Sequence, residues 1–137
     1  MKIKTDFVTN SSSTCFVVMQ KGKVTMDEFI KAVGVEANSR FKDIYEELYH
    51  LCMADLIPME EFIRGHRWYK GGSIDDFIKG VFSAQTLDRI KRAQEDGYIV
   101  YMGSLSSSET AIESYFCTDA FVIEGDNFII DGTNAGW

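Results

Sequence analysis

Apolar residues recur every three or four positions through the middle of the chain, which is the spacing of an amphipathic helix. The longest series runs from Phe41 to Leu56, and its opposite face carries charges: Lys42, Asp43, Glu46 and Glu47. Shorter series predict four more helices, which start near Met26, Pro58, Ser73 and Ser83. Thr25 and Glu28 have the spacing of a capping box. Together these patterns predict a helical middle over about residues 26 to 96.

A different pattern flanks this helical region on both sides. Residues 16 to 19 form a short apolar run with β-branched members, and residues 98 to 102 are aromatic and β-branched. Residues 121 to 130 read as two strands around Gly125-Asp126, with Gly125 suited to a type II′ turn. We therefore expect a single α+β domain over residues 1 to 137, with a small antiparallel sheet built from the N- and C-terminal strands. Weaker patterns add a strand over residues 3 to 8 and a short helix over residues 109 to 116.

Composition agrees with a compact folded chain. The protein has 137 residues, 45% of them hydrophobic, and a net charge of -7. Its three cysteines, Cys15, Cys52 and Cys117, are odd in number and lack CxxC spacing, so they favour free thiols over disulfides or a zinc site. Without an export signal or a long apolar segment, the sequence predicts a cytoplasmic protein with no membrane partner.

The charge is distributed unevenly between the two halves of the chain. Residues 1 to 70 hold ten basic and ten acidic side chains, whereas residues 71 to 137 hold four and eleven. The last segment carries no lysine or arginine after residue 97 but has six acids: Glu109, Glu113, Asp119, Glu124, Asp126 and Asp131. Such a segment repels phosphate backbones, so nucleic acid is an unfavourable partner for the whole chain. A single acidic face over residues 109 to 131 would instead indicate a nucleic-acid mimic.

The first candidate site is a run of polar residues ahead of the first strand: Thr9, Asn10, Ser11, Ser12, Ser13 and Thr14. Hydroxyls and amides in a loop can hold a phosphate or carboxylate, and residues 104 to 108, in a second serine-rich loop over residues 103 to 109, can face this loop across the sheet. The run has no P-loop lysine and no GxSxG motif. The alternative is that these side chains satisfy the backbone of their own turn.

Residues 2 to 18, which contain DFVTNSSSTCFVV, resemble the start of a loose set of uncharacterised bacterial and phage-associated proteins. Those proteins open with a basic segment followed by DFVTNSSSSSF or a close variant. Thr14 and Cys15 stand where serines occur in that pattern. The resemblance implies a recurrent N-terminal element and assigns no catalytic residue.

The second candidate site interleaves cations with aromatic residues beside Gly71-Gly72: Arg64, His66, Arg67, Trp68, Tyr69 and Lys70. This composition is typical of a surface that binds an acidic partner by charge and stacking. The alternative is a loop whose aromatic residues lie on the core while its charges are solvated.

The sequence gives no catalytic or metal-binding motif, and no cofactor is expected. His50 and Cys52 are two residues apart on a predicted helix, so their side chains diverge. A cysteine paired with His50 or His66 would have to be assembled by the fold. We expect a non-enzymatic binding protein whose partner is another protein. The alternatives are an enzyme or ligand-binding protein that holds an anionic small molecule at residues 9 to 14, and an acidic nucleic-acid mimic.

Overall fold

The computed structural model describes residues 13–34, 40–67, 69–106 and 121–132. Its strands are β1 (Ser13–Gln20), β2 (Ile57–Pro58), β3 (Ile99–Ser106), β4 (Val122–Glu124) and β5 (Phe128–Asp131). Its helices are α1 (Met26–Val33), α2 (Lys42–Met53), α3 (Met59–Arg64), α4 (Ile74–Val81) and α5 (Ala84–Glu95). The predicted α+β class and the helical middle are confirmed.

The five strands form one antiparallel sheet in the order β2-β3-β1-β5-β4. β1 therefore lies at the centre and pairs with C-terminal strands on both sides, as the sequence predicts. Val17 pairs with Met102 of β3 on one side and with Asp131 of β5 on the other. This placement explains why residues 15 to 19 are all buried.

Helices cover both faces of the sheet, and alternate residues of β1 contribute to two separate cores. Cys15, Val17 and Met19 pack on the face covered by α3, α4 and α5. Phe16 and Val18 pack on the opposite face with α1 and α2. Because successive side chains of a strand point to opposite faces, one continuous apolar strand supplies both cores.

The helix starts follow the local signals in the sequence. Thr25 Oγ1 accepts a hydrogen bond from the amide of Glu28 at 3.2 Å, and Gly34 ends α1 with a left-handed φ of 83°. Ser73 caps α4 and Ser83 caps α5 through their hydroxyls. These caps confirm the predicted starts because each depends only on residues a few positions apart.

Three elements differ from the predictions. β1 begins at Ser13, ahead of the apolar run, because the polar residues there pair with Leu105 and Ser106 of β3. β2 was not predicted. It is a two-residue strand at the edge of the sheet, where Pro58 is tolerated because proline has no N–H group that would need a hydrogen-bond partner. Phe41 and Ile44 belong to the apolar series of α2 but are 57% and 41% exposed. They lie before and within the first turn of α2, whereas its buried residues lie further along the helix.

The predicted hairpin between β4 and β5 is confirmed, but its turn is not type II′. That turn requires a positive φ at Gly125, and this residue is not among the described glycines with positive φ. Gly125 is needed for space instead, because a Cβ there would collide with the ring of Phe128. The expected strand over residues 3 to 8 and helix over residues 109 to 116 lie outside the described residues.

The helices of the described ranges are short. None of them combines the length and the apolar character needed to cross a bilayer.

Candidate functional site

The second candidate site lies where α3 ends and the chain crosses to α4. Arg64 is the last residue of α3, and the amide of His66 donates to the carbonyl of Ile63 at 3.0 Å. The amide of Tyr69 then donates to the carbonyl of His66, also at 3.0 Å. These turn hydrogen bonds give the segment a defined backbone. Trp68 lies outside the described residues.

Two rings of this segment, those of His66 and Tyr69, pack against the protein. His66 and Tyr69 are half-buried and make edge contacts with the ring of Phe77, at centroid distances of 5.5 and 6.3 Å. The Tyr69 hydroxyl donates to the carbonyl of Gly72 at 2.7 Å. Both rings therefore hold the segment against α4.

The three cations of the segment lie on its solvent side. Arg64, Arg67 and Lys70 are exposed, and we call them the cationic patch. No ion pair joins Arg64 to Glu60 or engages Lys70 within the described part of the chain. Glu60 lies four residues before Arg64, a spacing that allows an ion pair on a helix, but the two side chains do not form one. Glu60 therefore does not neutralise the charge of Arg64.

The fold also brings together a cysteine and a histidine that are 51 residues apart. Cys15 Sγ of β1 lies 4.0 Å from His66 Nε2. Burial raises the pKa of the Cys15 thiol from 9.0 to about 11. Desolvation, and secondarily the charge of Arg67, lowers the pKa of His66. Both shifts favour the uncharged forms, whereas a nucleophilic cysteine requires a thiolate.

The remaining thiols and histidine give no catalytic pair in the described ranges. Cys52 and His50 both lie on α2, where Cys52 is buried in the core and His50 is exposed. Cys117 lies outside the described residues. No group of three or more potential metal ligands occurs among the residues that the structure describes.

Only the end of the first candidate site falls within the described residues. Thr9, Asn10, Ser11 and Ser12 lie outside them, while Ser13 and Thr14 form the first two positions of β1. Ser13 pairs with Ser106, so these ends of the two serine-rich segments lie in neighbouring strands. The prediction of loops at residues 13 to 14 and 103 to 106 is wrong, because the β1–β3 pairing extends through them. Ligand binding at residues 9 to 14 stays a prediction.

The acids of the C-terminal segment do not share one environment. Glu124 and Asp126 are exposed, whereas Asp131 is fully buried on β5. Asp131 accepts a hydrogen bond from Thr86 Oγ1 at 3.1 Å and forms an ion pair with Arg89. Asp131 therefore cannot belong to an acidic outer face. Glu109, Glu113 and Asp119 lie outside the described residues.

The sequence patterns did not predict this buried network, and they grouped Asp131 with the other acids of the C-terminal segment. The Ser83 hydroxyl donates to Thr86 Oγ1 at 3.2 Å, so a chain of polar groups runs from the start of α5 to β5. One signal was present: strand alternation puts Asp131 on the same face as Ile129, which packs against the core.

Fold and site together define an α+β protein with a covered antiparallel sheet and a surface cationic segment anchored by aromatic rings. Comparison with known proteins adds no relative: no family model matches the chain, and no curated protein or solved structure shows a match.

Proposed function

We propose that this protein is a non-enzymatic binding protein that recognises an acidic surface of another protein through the cationic patch. The observation that carries the proposal is the arrangement of the segment after α3. The rings of His66 and Tyr69 pack on Phe77, while Arg64, Arg67 and Lys70 are exposed on one short stretch. A fixed backbone that presents several cations lowers the ordering cost of binding and favours an oppositely charged partner.

Protein is a better partner than nucleic acid for two reasons. The net charge of -7 works against a phosphate backbone, so the rest of the molecule opposes what three cations attract. Non-specific binding of single strands also uses aromatic rings as stacking surfaces. Among the described residues of the segment, the rings of His66 and Tyr69 already contact Phe77, and the Tyr69 hydroxyl donates to the carbonyl of Gly72.

The Cys15–His66 contact gives no competing support for a thiol enzyme. Cys15 is only 6% exposed, and its raised pKa keeps it protonated near neutral pH. A substrate would have to reach a buried, uncharged sulfur. The contact is better explained as packing between β1 and the end of α3.

The experiment compares charge reversal at the patch with charge reversal elsewhere. Arg64→Glu combined with Lys70→Glu changes the patch, and Lys23→Glu combined with Lys31→Glu makes the same change in net charge at other exposed sites. Partners captured by each variant and by the wild type are identified by mass spectrometry and then purified for direct binding measurements. Melting temperatures establish that all three proteins are folded.

We expect the patch variant to lose a partner that the control variant retains, and binding of that partner to weaken as salt is raised. The same partners bound equally by the patch variant would overturn the proposal. A purified partner that proves to be nucleic acid would overturn the choice of partner class.

A further inference from the structure

An open cleft of about 390 Å³ lies beside the second half of α5. Its walls come from α5, from the start of β3 and from the β4–β5 hairpin. The lining residues are Arg89, Arg92, Ala93, Asp96, Tyr98, Glu124 and Ile129. This volume lies within the range of small-molecule sites, which is roughly 300 to 1,000 Å³.

Arg89 is held in place at this cleft by a buried partner. Its guanidinium pairs with Asp131, which is fully buried, while the Arg89 side chain is itself 33% exposed. A guanidinium has five N–H donors, so pairing with one carboxylate oxygen leaves donors for a second group. Arg92 lies one turn further along the same face of α5 and brings a second guanidinium to the cleft.

The cleft also contains two carboxylates that do not neutralise these arginines. Asp96 and Glu124 are exposed and line the same cleft. Among the described residues, neither forms an ion pair with Arg89 or Arg92. Opposite charges are thus present in one cleft without being paired to each other.

We propose that this cleft binds a zwitterionic small molecule, a free α-amino acid. The carboxylate of the ligand would be bound by Arg89 and Arg92, and its ammonium group by Asp96 and Glu124. A purely anionic ligand would meet the two carboxylates, and a purely cationic one the two guanidiniums. Only a ligand with both charges gains from both sets.

The rest of the lining suits the side chain of such a ligand. Ile129 and Tyr98 are half-buried and present apolar surface. The ammonium group of Lys21 lies 5.2 Å from the centre of the Tyr98 ring, and this cation–π contact occupies one face of the ring. We therefore expect amino acids with an apolar side chain to bind more tightly than glycine.

The test is a titration of the ¹⁵N-labelled full chain followed by amide chemical shifts. The probes are L-leucine, L-phenylalanine, L-glutamate, L-lysine and glycine at millimolar concentration. We expect L-leucine or L-phenylalanine to shift the amides of Ala93, Tyr98 and Ile129 in a saturable way. If none of the five probes shifts these amides, or the shifts map elsewhere, the proposal is wrong.

Two analogues separate the charges of leucine. 4-Methylpentanoate lacks the amine, and 3-methylbutylamine lacks the carboxylate. Each loses one set of charge-assisted hydrogen bonds, so each should bind at least about tenfold more weakly than leucine. Equal affinity for either analogue would contradict recognition of a zwitterion.

Matched variants locate the binding site. Arg92→Gln and Glu124→Gln should each weaken leucine binding about tenfold, while Arg64→Gln and Glu95→Gln should leave it unchanged. Unchanged binding in both cleft variants would overturn the proposal. Since the cationic patch is built from other elements, charge reversal there tests the proposed function without affecting this result.

Discussion

At the scale of single residues, Cys15 and His66 lie side by side, but the environment of each favours its uncharged form. Desolvation raises the pKa of the thiol and lowers the pKa of the imidazole. Asp131 is buried as well, yet it has Arg89 and Thr86 as partners. The two environments differ in their polar partners, because Asp131 has an ion pair and a hydrogen bond whereas the Cys15 thiol is raised in pKa by burial alone.

The raised pKa of Cys15 makes part of the stability pH-dependent. The native thiol keeps its proton up to about pH 11, whereas the unfolded thiol loses it near 9.0, so unfolding is favoured as the pH rises between these values. We expect the wild type to lose stability relative to Cys15→Ala by up to about 1.4 kcal/mol per pH unit in this window. Urea unfolding of both proteins at several pH values measures the difference.

Parallel stability curves for the two proteins above pH 9 would contradict this prediction. Between about pH 7 and 8 the two curves should run parallel, because the thiol is then protonated in both the folded and unfolded states. The Cys15→Ala protein supplies the control for lysines and tyrosines that titrate in the same range.

At the scale of elements, local sequence was enough for the helix starts and insufficient for several strand features. Thr25, Ser73 and Ser83 cap helices through residues three positions away, so the signal and its structure are close in sequence. Asp131 depends on Thr86 and Arg89, which lie more than 40 positions away, so its burial could not be read from its neighbours. The cationic segment was predictable from composition, but the inward packing of Tyr69 was one of two open alternatives.

Gly103 illustrates an element contact that a sequence pattern does not reveal. It lies opposite Phe16 in the β1–β3 pair, and a Cβ at residue 103 would come within 2.7 Å of the buried Phe16 ring. We expect Gly103→Ala to lower the free energy of unfolding by about 1 to 3 kcal/mol, because the buried Phe16 ring would have to shift to accommodate the methyl group. Chemical denaturation measures this loss.

Gly80→Ala is the matched control. Gly80 lies in α4, and a Cβ there would meet nothing within 4 Å. The substitution should raise stability by about 0.5 to 1 kcal/mol, since alanine favours the helix. Equal effects of the two substitutions would show that steric contact with Phe16 does not matter.

At the scale of the whole molecule, β1 connects everything else. It pairs with β3 and β5, and its two faces contribute to the two cores. Loss of β1 would divide the sheet and uncover both cores at once. Unfolding of this strand should therefore coincide with unfolding of the protein.

Hydrogen exchange tests this expectation residue by residue. The amides of Val17, Val18 and Met19 should exchange only through global unfolding, with a free energy equal to that from urea denaturation. The amide of Ile123, which faces β5 from edge strand β4, should exchange faster through local opening. Exchange in β1 that is as fast as in β4 would contradict a central, cooperative role for β1.

The position of β1 in the sheet also has a consequence for biosynthesis. A ribosome makes residues 13 to 20 more than 100 residues before it makes β5, the strand that completes their hydrogen bonding. Until then an apolar strand destined for the centre of the sheet has an open edge, which is the condition that invites aggregation. Nascent chains of this protein should therefore need protection, by the ribosome surface or a chaperone, until the C-terminal strands emerge.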